Sequence, residues 1–122
     1  MHVFLYIPKQ IFSGRKLRQL VEEKVEQIKL MSFVNLSKMG SQLKLSVKSG
    51  DIVIFLAATD CEIDRLLDMQ EFLEDVRLIL ILPDSSAETV AKGHLLRPRF
   101  LTCANHDMAE ISSVLEKMIQ KS

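Results

Sequence analysis

The side chains that could act in catalysis or bind a metal are few and widely spaced along the chain. Cys61 follows Thr59-Asp60 at the predicted start of a helix, where the helix dipole can lower the pKa of a thiol. No histidine or basic residue adjoins it, which favours an ordinary thiol. The three histidines, His2, His94 and His106, lack the short spacing of a metal-binding pair. We expect no metal site, and His106, in a predicted loop, is the best remaining candidate for a general base.

The two cysteines are predicted to be free thiols. Cys61 and Cys103 form no C-x-x-C pair, so the sequence supports neither a zinc knuckle nor a thioredoxin-type redox pair. If both follow strand ends with one strand between them, they lie roughly 10 Å apart. A disulfide needs Cα atoms within about 7 Å.

A short basic segment, Ser13-Gly14-Arg15-Lys16, precedes the first predicted helix and could bind an anion at the helix N-terminus. It lacks the G-x-x-x-x-G-K-[ST] spacing of a P-loop and the G-x-G-x-x-G dinucleotide fingerprint. The preceding loop, Pro8 to Phe12, has no Ser, Thr or Gly residues to hold a flavin phosphate. The sequence therefore predicts solvated basic residues here and no bound cofactor.

The element that must position any site is the stretch from Gly50 to Ala58. Its residues Ile52 to Leu56 form an unbroken apolar run, which is typical of a central parallel strand covered by helices on both faces. Ligands and catalytic groups in such sheets collect just past the carboxyl ends of the strands. The site is therefore predicted near Leu56 to Cys61.

Four more strands and five helices follow from apolar patterning and from helix start signals. The other strands are Val3 to Ile7, Leu30 to Leu36, Val76 to Leu82 and Arg99 to Thr102. Thr59 with Glu62 and Ser85 with Glu88 have the form of capping boxes, and Asp107 with Glu110 is predicted to cap the last helix. Gly93 is predicted to end the fourth helix.

Residues 37–49 fit two patterns. Leu36, Met39, Leu43 and Val47 share a helix face, with Ser37 as the N-cap, whereas Leu43, Leu45 and Val47 also alternate with polar residues as in a strand. We favour a helix because two parallel strands need a crossover between them. The alternative is a β-hairpin within residues 30–58 and a mixed sheet.

Alternating strands and helices predict an α/β fold in one domain over residues 1–122. The expected architecture is a flavodoxin-like (βα)5 three-layer sandwich with a parallel sheet in the order 2-1-3-4-5. The first, third and fourth strands are then central, as their apolar runs require.

Composition narrows the function classes. Sixteen basic residues balance sixteen acidic ones, which argues against a nucleic-acid partner. The longest apolar runs are far shorter than the roughly 20 residues that cross a bilayer, so no membrane segment is predicted. Met1 leads directly into a strand-like run without a basic leader, and a cytoplasmic location is the default expectation.

Length, element order and loop placement resemble the receiver domain of two-component response regulators. The resemblance covers nearly the whole chain and includes two local segments, Gly50-Asp51-Ile52-Val53-Ile54-Phe55 and Phe100-Leu101-Thr102. A working receiver has two acids after the first strand, a phosphate-accepting aspartate ending the third, a Ser or Thr ending the fourth and a Lys ending the fifth. The carboxylates bind magnesium, and the hydroxyl and lysine stabilise the phosphoryl charge.

All five of these groups are missing at the matching positions. The first strand runs into Ile7-Pro8-Lys9, the acceptor position falls on Leu56, the fourth strand ends Leu82-Pro83-Asp84, and the lysine position falls near Cys103. Asp60 is four residues late and is better explained as part of a helix N-terminus. The resemblance therefore implies a degenerate, phosphate-independent receiver-like domain that is not an enzyme and needs no cofactor.

The resemblance also implies a partner face. Receivers commonly bind partners or themselves through the fourth helix, fifth strand and fifth helix. Here that face would include Lys92, His94, Leu95, Leu96, Arg97 and Arg99, unless the leucines pack beneath the loop. The expected function is a protein-interaction module in signalling or regulation. The alternative is a domain that binds a small ligand or nucleotide in the strand-end crevice.

Overall fold

The five strands form one parallel sheet in the order 2-1-3-4-5. The computed structural model describes residues 2–8, 14–26, 29–104 and 109–120. The strands are β1 Val3–Tyr6, β2 Leu30–Phe33, β3 Ile52–Leu56, β4 Arg77–Leu82 and β5 Phe100–Cys103. Every adjacent pair is parallel, including Leu5 with Ile54 and Leu56 with Ile81. The predicted flavodoxin-like (βα)5 fold is confirmed.

Five helices within these described ranges connect and cover the strands. They are α1 Gly14–Lys24, α2 Leu36–Ser46, α3 Asp60–Asp68, α4 Ala87–Leu95 and α5 Ala109–Gln120, with a 3₁₀ turn, Gln70–Phe72, after α3. None of the helices in the described ranges is long and apolar enough to cross a membrane.

The pleat of the central strands divides the core into two layers. In β1, Phe4 and Tyr6 face the layer covered by α2, α3 and α4, whereas Val3 and Leu5 face the layer covered by α1 and α5. The β3 strand divides its side chains in the same way. Each fully buried aliphatic or aromatic side chain contributes roughly 1.5–3 kcal/mol. Two-sided burial is therefore the reason that β1, β3 and β4 are apolar throughout.

The segment between β2 and β3 is the helical crossover, so the hairpin alternative is wrong. The predicted second strand was too long, because it ends at Phe33 and Leu36 already belongs to α2. Asn35 is the N-cap, and its side-chain oxygen accepts a hydrogen bond from the Lys38 amide at 3.2 Å. The predicted cap, Ser37, lies inside the first turn, because the helix must begin early enough to bury Leu36 in the core.

The caps and the C-terminus of two later helices also differ from the predictions. Thr59 makes no side-chain hydrogen bond at the start of α3, and α4 is capped by Ser86 rather than Ser85. The α4 helix continues beyond Gly93 to Leu95. A Cβ atom at Gly93 would lie 3.2 Å from methyl carbons of Leu82 and Leu101, so this glycine permits close packing on the sheet. The predicted cap of α5, Asp107, lies outside the described residues.

Candidate functional site

The carboxyl end of β3 carries a core leucine where a receiver carries its acceptor. Leu56 is the last residue of β3 and is 0% exposed. It packs in the layer covered by α1 and α5 and is paired in register with Ile81 of β4. A side chain in this position is enclosed by hydrocarbon and has no access to a dissolved phosphodonor.

Glu62 covers the strand tips next to Leu56. Its carboxylate accepts a hydrogen bond from the Ala58 amide at 2.6 Å and another from the hydroxyl of Tyr6 at the end of β1. The Tyr6 ring stacks on Phe55 with 4.5 Å between the ring centroids. Burial, and secondarily the hydrogen bond and negative charge of Glu62, raise the pKa of Tyr6 well above its ordinary value, although Arg65 opposes this shift.

The predicted capping role of Glu62 was therefore only partly right. The side chain does turn back toward the start of α3, but it binds the amide of Ala58 and not that of Thr59. Its second oxygen binds Tyr6, which is 56 residues away in the sequence. Sequence reasoning missed this contact because no local pattern relates the end of β1 to the first turn of α3.

A second polar network joins the first turns of α3 and α4. The Ser86 hydroxyl donates to Thr89 Oγ1 at 2.9 Å, and the Thr89 hydroxyl donates to Asp60 Oδ1 at 2.7 Å. Asp84 accepts a hydrogen bond from the Ser86 amide at 3.0 Å. Hydrogen bonds from Ser86 and Thr89 lower the pKa of Asp84.

Lys92 neutralises the acidic side of this network. Its ammonium lies 3.3 Å from Asp64 Oδ1 and 3.8 Å from Asp60 Oδ2. The hydrogen bond to Asp64 raises the pKa of Lys92, and the charges of Asp64, Asp60 and Glu88 act in the same direction. The cation is thus shared between two carboxylates of α3.

The cysteines and metal-ligating residues do not assemble into a reactive centre in the part of the chain that the structure describes. Both cysteines are free: Cys61 is exposed in the first turn of α3, and Cys103 is buried at the end of β5. The Cys103 thiol lies 3.6 Å from the carbonyl oxygen of Asp84. Over the described ranges, no group of three or more His, Cys, Asp or Glu residues could hold a metal ion.

The remaining predicted residues have different outcomes. Ser13 and His106 lie outside the described residues, whereas Gly14 is buried at the start of α1, with Arg15 exposed after it. On the expected partner face, Leu95 is 61% exposed, and Arg97 and Arg99 are also exposed. Leu96 is only 6% exposed and packs in the core, so it contributes nothing to that surface.

Comparison with known proteins adds no family or relative to this geometry. No protein-family model, no curated protein and no solved structure matches the chain.

Proposed function

We propose that this chain is a non-catalytic, receiver-like protein-interaction module of signalling or regulation that is not phosphorylated on an aspartate. The observation that carries the proposal is the fully buried Leu56 at the end of β3, with Glu62 folded over the neighbouring strand tips. Phosphoryl transfer at this point would need an accessible carboxylate, and the side chain present is hydrocarbon.

The surrounding polar groups support the same proposal. A phosphoryl group is stabilised by cations and hydrogen-bond donors that are available to it. Here the Thr89 hydroxyl donates to Asp60, and the Lys92 ammonium is paired with Asp60 and Asp64. The carboxylates of Asp60 and Glu62 would repel a phosphate dianion. The polar groups at the carboxyl ends of the strands, here called the strand-end edge, are therefore bonded to one another.

The expected partner is another protein or a second copy of the chain, bound through α4, β5 and α5. Leu95 is an exposed leucine at the end of α4, and Arg99 is exposed just before β5. An exposed large apolar side chain and an exposed arginine are residue types that interfaces favour.

The absence of phosphorylation is tested by amide NMR spectra with magnesium and either acetyl phosphate or beryllofluoride. We expect the amide signals of Leu56 to Glu62 to stay unchanged, while a functional receiver treated in parallel shows the usual shifts. Magnesium-dependent shifts at these amides, or a covalent phosphate detected by intact mass, would contradict the proposal.

The partner face is tested with matched exposed leucines. Leu95→Asp should reduce self-association in sedimentation, or binding of the partner once it is identified, whereas Leu45→Asp should leave both unchanged. Leu45 suits the control because it is 83% exposed on α2, away from the proposed face. Equal effects of the two substitutions would exclude an α4–β5–α5 interface.

Thermal denaturation with nucleotides, flavins and inorganic phosphate distinguishes the ligand-binding alternative from the interaction module. A ligand that binds only the folded state raises the midpoint in proportion to the logarithm of its concentration. We expect no such rise. A concentration-dependent rise, with NMR shifts at the Glu62 edge, would replace the interaction module with a strand-end ligand site.

A further inference from the structure

A cavity of about 430 Å³ lies at the opposite, amino-terminal edge of the sheet. Its apolar wall is formed by Leu73, Val76, Leu78 and Leu96, and its polar wall by Gln70, Glu74 and Arg97. The 3₁₀ turn, the start of β4 and the end of α4 thus meet around it. Its volume falls within the roughly 300–1,000 Å³ of small-molecule sites.

Arg97 has an unfavourable backbone conformation at the edge of this cavity. Its φ angle is 51°, and among the described residues no other non-glycine residue has a positive φ. Arg97 occupies the position just after the C-cap of α4, where glycine is usual because it has no Cβ. It also precedes Pro98, and residues before proline favour extended backbone. Glycine would end the helix without this strain. The strained backbone at Arg97 therefore indicates a role for the arginine side chain.

The charged groups of the cavity have no partner among the residues that the structure describes. In the described part of the chain, neither the Arg97 guanidinium nor the Glu74 carboxylate has a hydrogen-bond or ion-pair partner, although both residues line the same cavity. The Gln70 side-chain amide donates to the carbonyl oxygen of Leu95 at 2.9 Å. That bond fixes the orientation of Gln70 and leaves its Oε1 atom as an acceptor.

We propose that this cavity binds a free amino acid with an apolar side chain. Arg97 binds the α-carboxylate through its guanidinium, and Glu74 with Gln70 Oε1 binds the α-ammonium. The side chain of the ligand packs against Leu73, Leu78 and Leu96. One unpaired cation and one unpaired anion beside an apolar wall match the three parts of such a ligand. This site goes beyond the proposed interaction function and does not depend on it.

The test is an NMR titration with L-leucine, L-valine and L-phenylalanine, followed on the amide and methyl signals of the cavity residues. At least one should give saturable shifts at Leu73, Leu78 and Leu96 and a rising thermal midpoint. The matched single-charge probes are 4-methylpentanoate, which lacks the ammonium, and 3-methylbutylamine, which lacks the carboxylate. Each should bind about tenfold more weakly or worse. Absence of saturable shifts, or equal affinity of a single-charge probe, would overturn the proposal.

Three variants separate binding from folding. Arg97→Gly relieves the backbone at φ 51° and should keep or raise the thermal midpoint while weakening amino-acid binding at least about tenfold. Glu74→Gln should weaken binding similarly, with the ammonium-only probe affected most. Arg18→Ala is the control, since Arg18 is exposed on α1 and does not line the cavity. If Arg97→Gly bound the amino acid as tightly as the parent does, the proposed site would be refuted. The beryllofluoride experiment has a different readout, so failure of either proposal is recognised separately.

Discussion

At the scale of single residues, Glu62 is the side chain on which the strand-end edge depends. It accepts hydrogen bonds from the Ala58 amide and from the Tyr6 hydroxyl, and both bonds are partly buried. Glu62→Ala removes both acceptors, and a buried donor left unsatisfied costs about 1–3 kcal/mol. We therefore expect a loss of about 2–3 kcal/mol in the free energy of unfolding, measured with urea.

The control for Glu62→Ala is Glu71→Ala. Glu71 is exposed in the 3₁₀ turn, and a surface substitution there should change the free energy of unfolding by no more than about 0.5 kcal/mol. Equal losses in the two variants would mean that the carboxylate of Glu62 contributes nothing beyond an ordinary surface charge.

Tyr6 gives a direct measurement of the same contact. It is the only tyrosine, and the chain has no tryptophan, so the tyrosinate absorbance band reports one residue. Burial and Glu62 raise its pKa in the folded chain. We expect Tyr6 to ionise at clearly higher pH in the native protein than in the urea-unfolded chain, where a tyrosine titrates near 10. Glu62→Gln should lower the pKa of Tyr6 only in part, because burial is the larger cause.

The sign of the resulting pH effect on stability follows from linkage. A pKa raised on folding means that the folded state holds the proton more tightly. The contribution of Tyr6 is therefore complete below a pH of about 10, the unfolded pKa, and is lost as the pH rises toward the folded pKa. The free energy of unfolding, measured with urea, should fall over this pH range more steeply for the parent than for Tyr6→Phe. If the two free energies changed in parallel with pH, Tyr6 would not have a raised pKa in the folded chain.

At the scale of elements, the start of α2 separates what sequence patterns reveal from what packing decides. The helix was predictable because two parallel strands need a crossover. The residue that caps it was not, since Asn35 and Ser37 are both good N-caps. The choice depends on burying Leu36 within the first turn, which is a tertiary contact. The cap of α4 likewise lies at Ser86 and not at Ser85, and Thr59 makes no side-chain cap hydrogen bond.

The cap of α2 can be tested with these two candidates. Asn35→Ala should cost about 1 kcal/mol, because the Lys38 amide loses its acceptor. Ser37→Ala should change the free energy of unfolding by less than about 0.5 kcal/mol, since, among the described residues, the exposed Ser37 hydroxyl binds only Arg65, at 3.2 Å. A larger loss from Ser37→Ala than from Asn35→Ala would contradict the observed cap.

At the scale of the whole molecule, the sheet order was predictable and the site contacts were not. The apolar runs of β1, β3 and β4 require these strands to be central, which favours the order 2-1-3-4-5. The contacts between Tyr6 and Glu62 and between Asp60 and Thr89 join elements that are 56 and 29 residues apart. The cavity at Arg97 likewise depends on three elements meeting, and the positive φ of Arg97 becomes visible only in the structure.

The layered core also predicts that a receiver site cannot be restored by one substitution. Leu56 is fully buried among aliphatic side chains. An aspartate placed there must lose its hydration without gaining a partner, and the cavity left by the leucine adds to the cost. We expect Leu56→Asp to reduce the free energy of unfolding by at least about 3 kcal/mol in urea. Leu56→Met, which keeps the volume, should cost less than about 1.5 kcal/mol.

The phosphorylation readout of the same variant decides between two views of the strand-end edge. If the missing aspartate were the only defect, Leu56→Asp would fold and become labelled by acetyl phosphate with magnesium. If the edge is committed to its internal bonds, the variant is destabilised and any folded fraction stays unlabelled. Thr89 and Lys92 are already engaged by Asp60, and within the described residues no acidic cluster could hold magnesium. We therefore expect no label, and a stably folded, labelled Leu56→Asp variant would contradict the view that this edge is committed to its internal bonds.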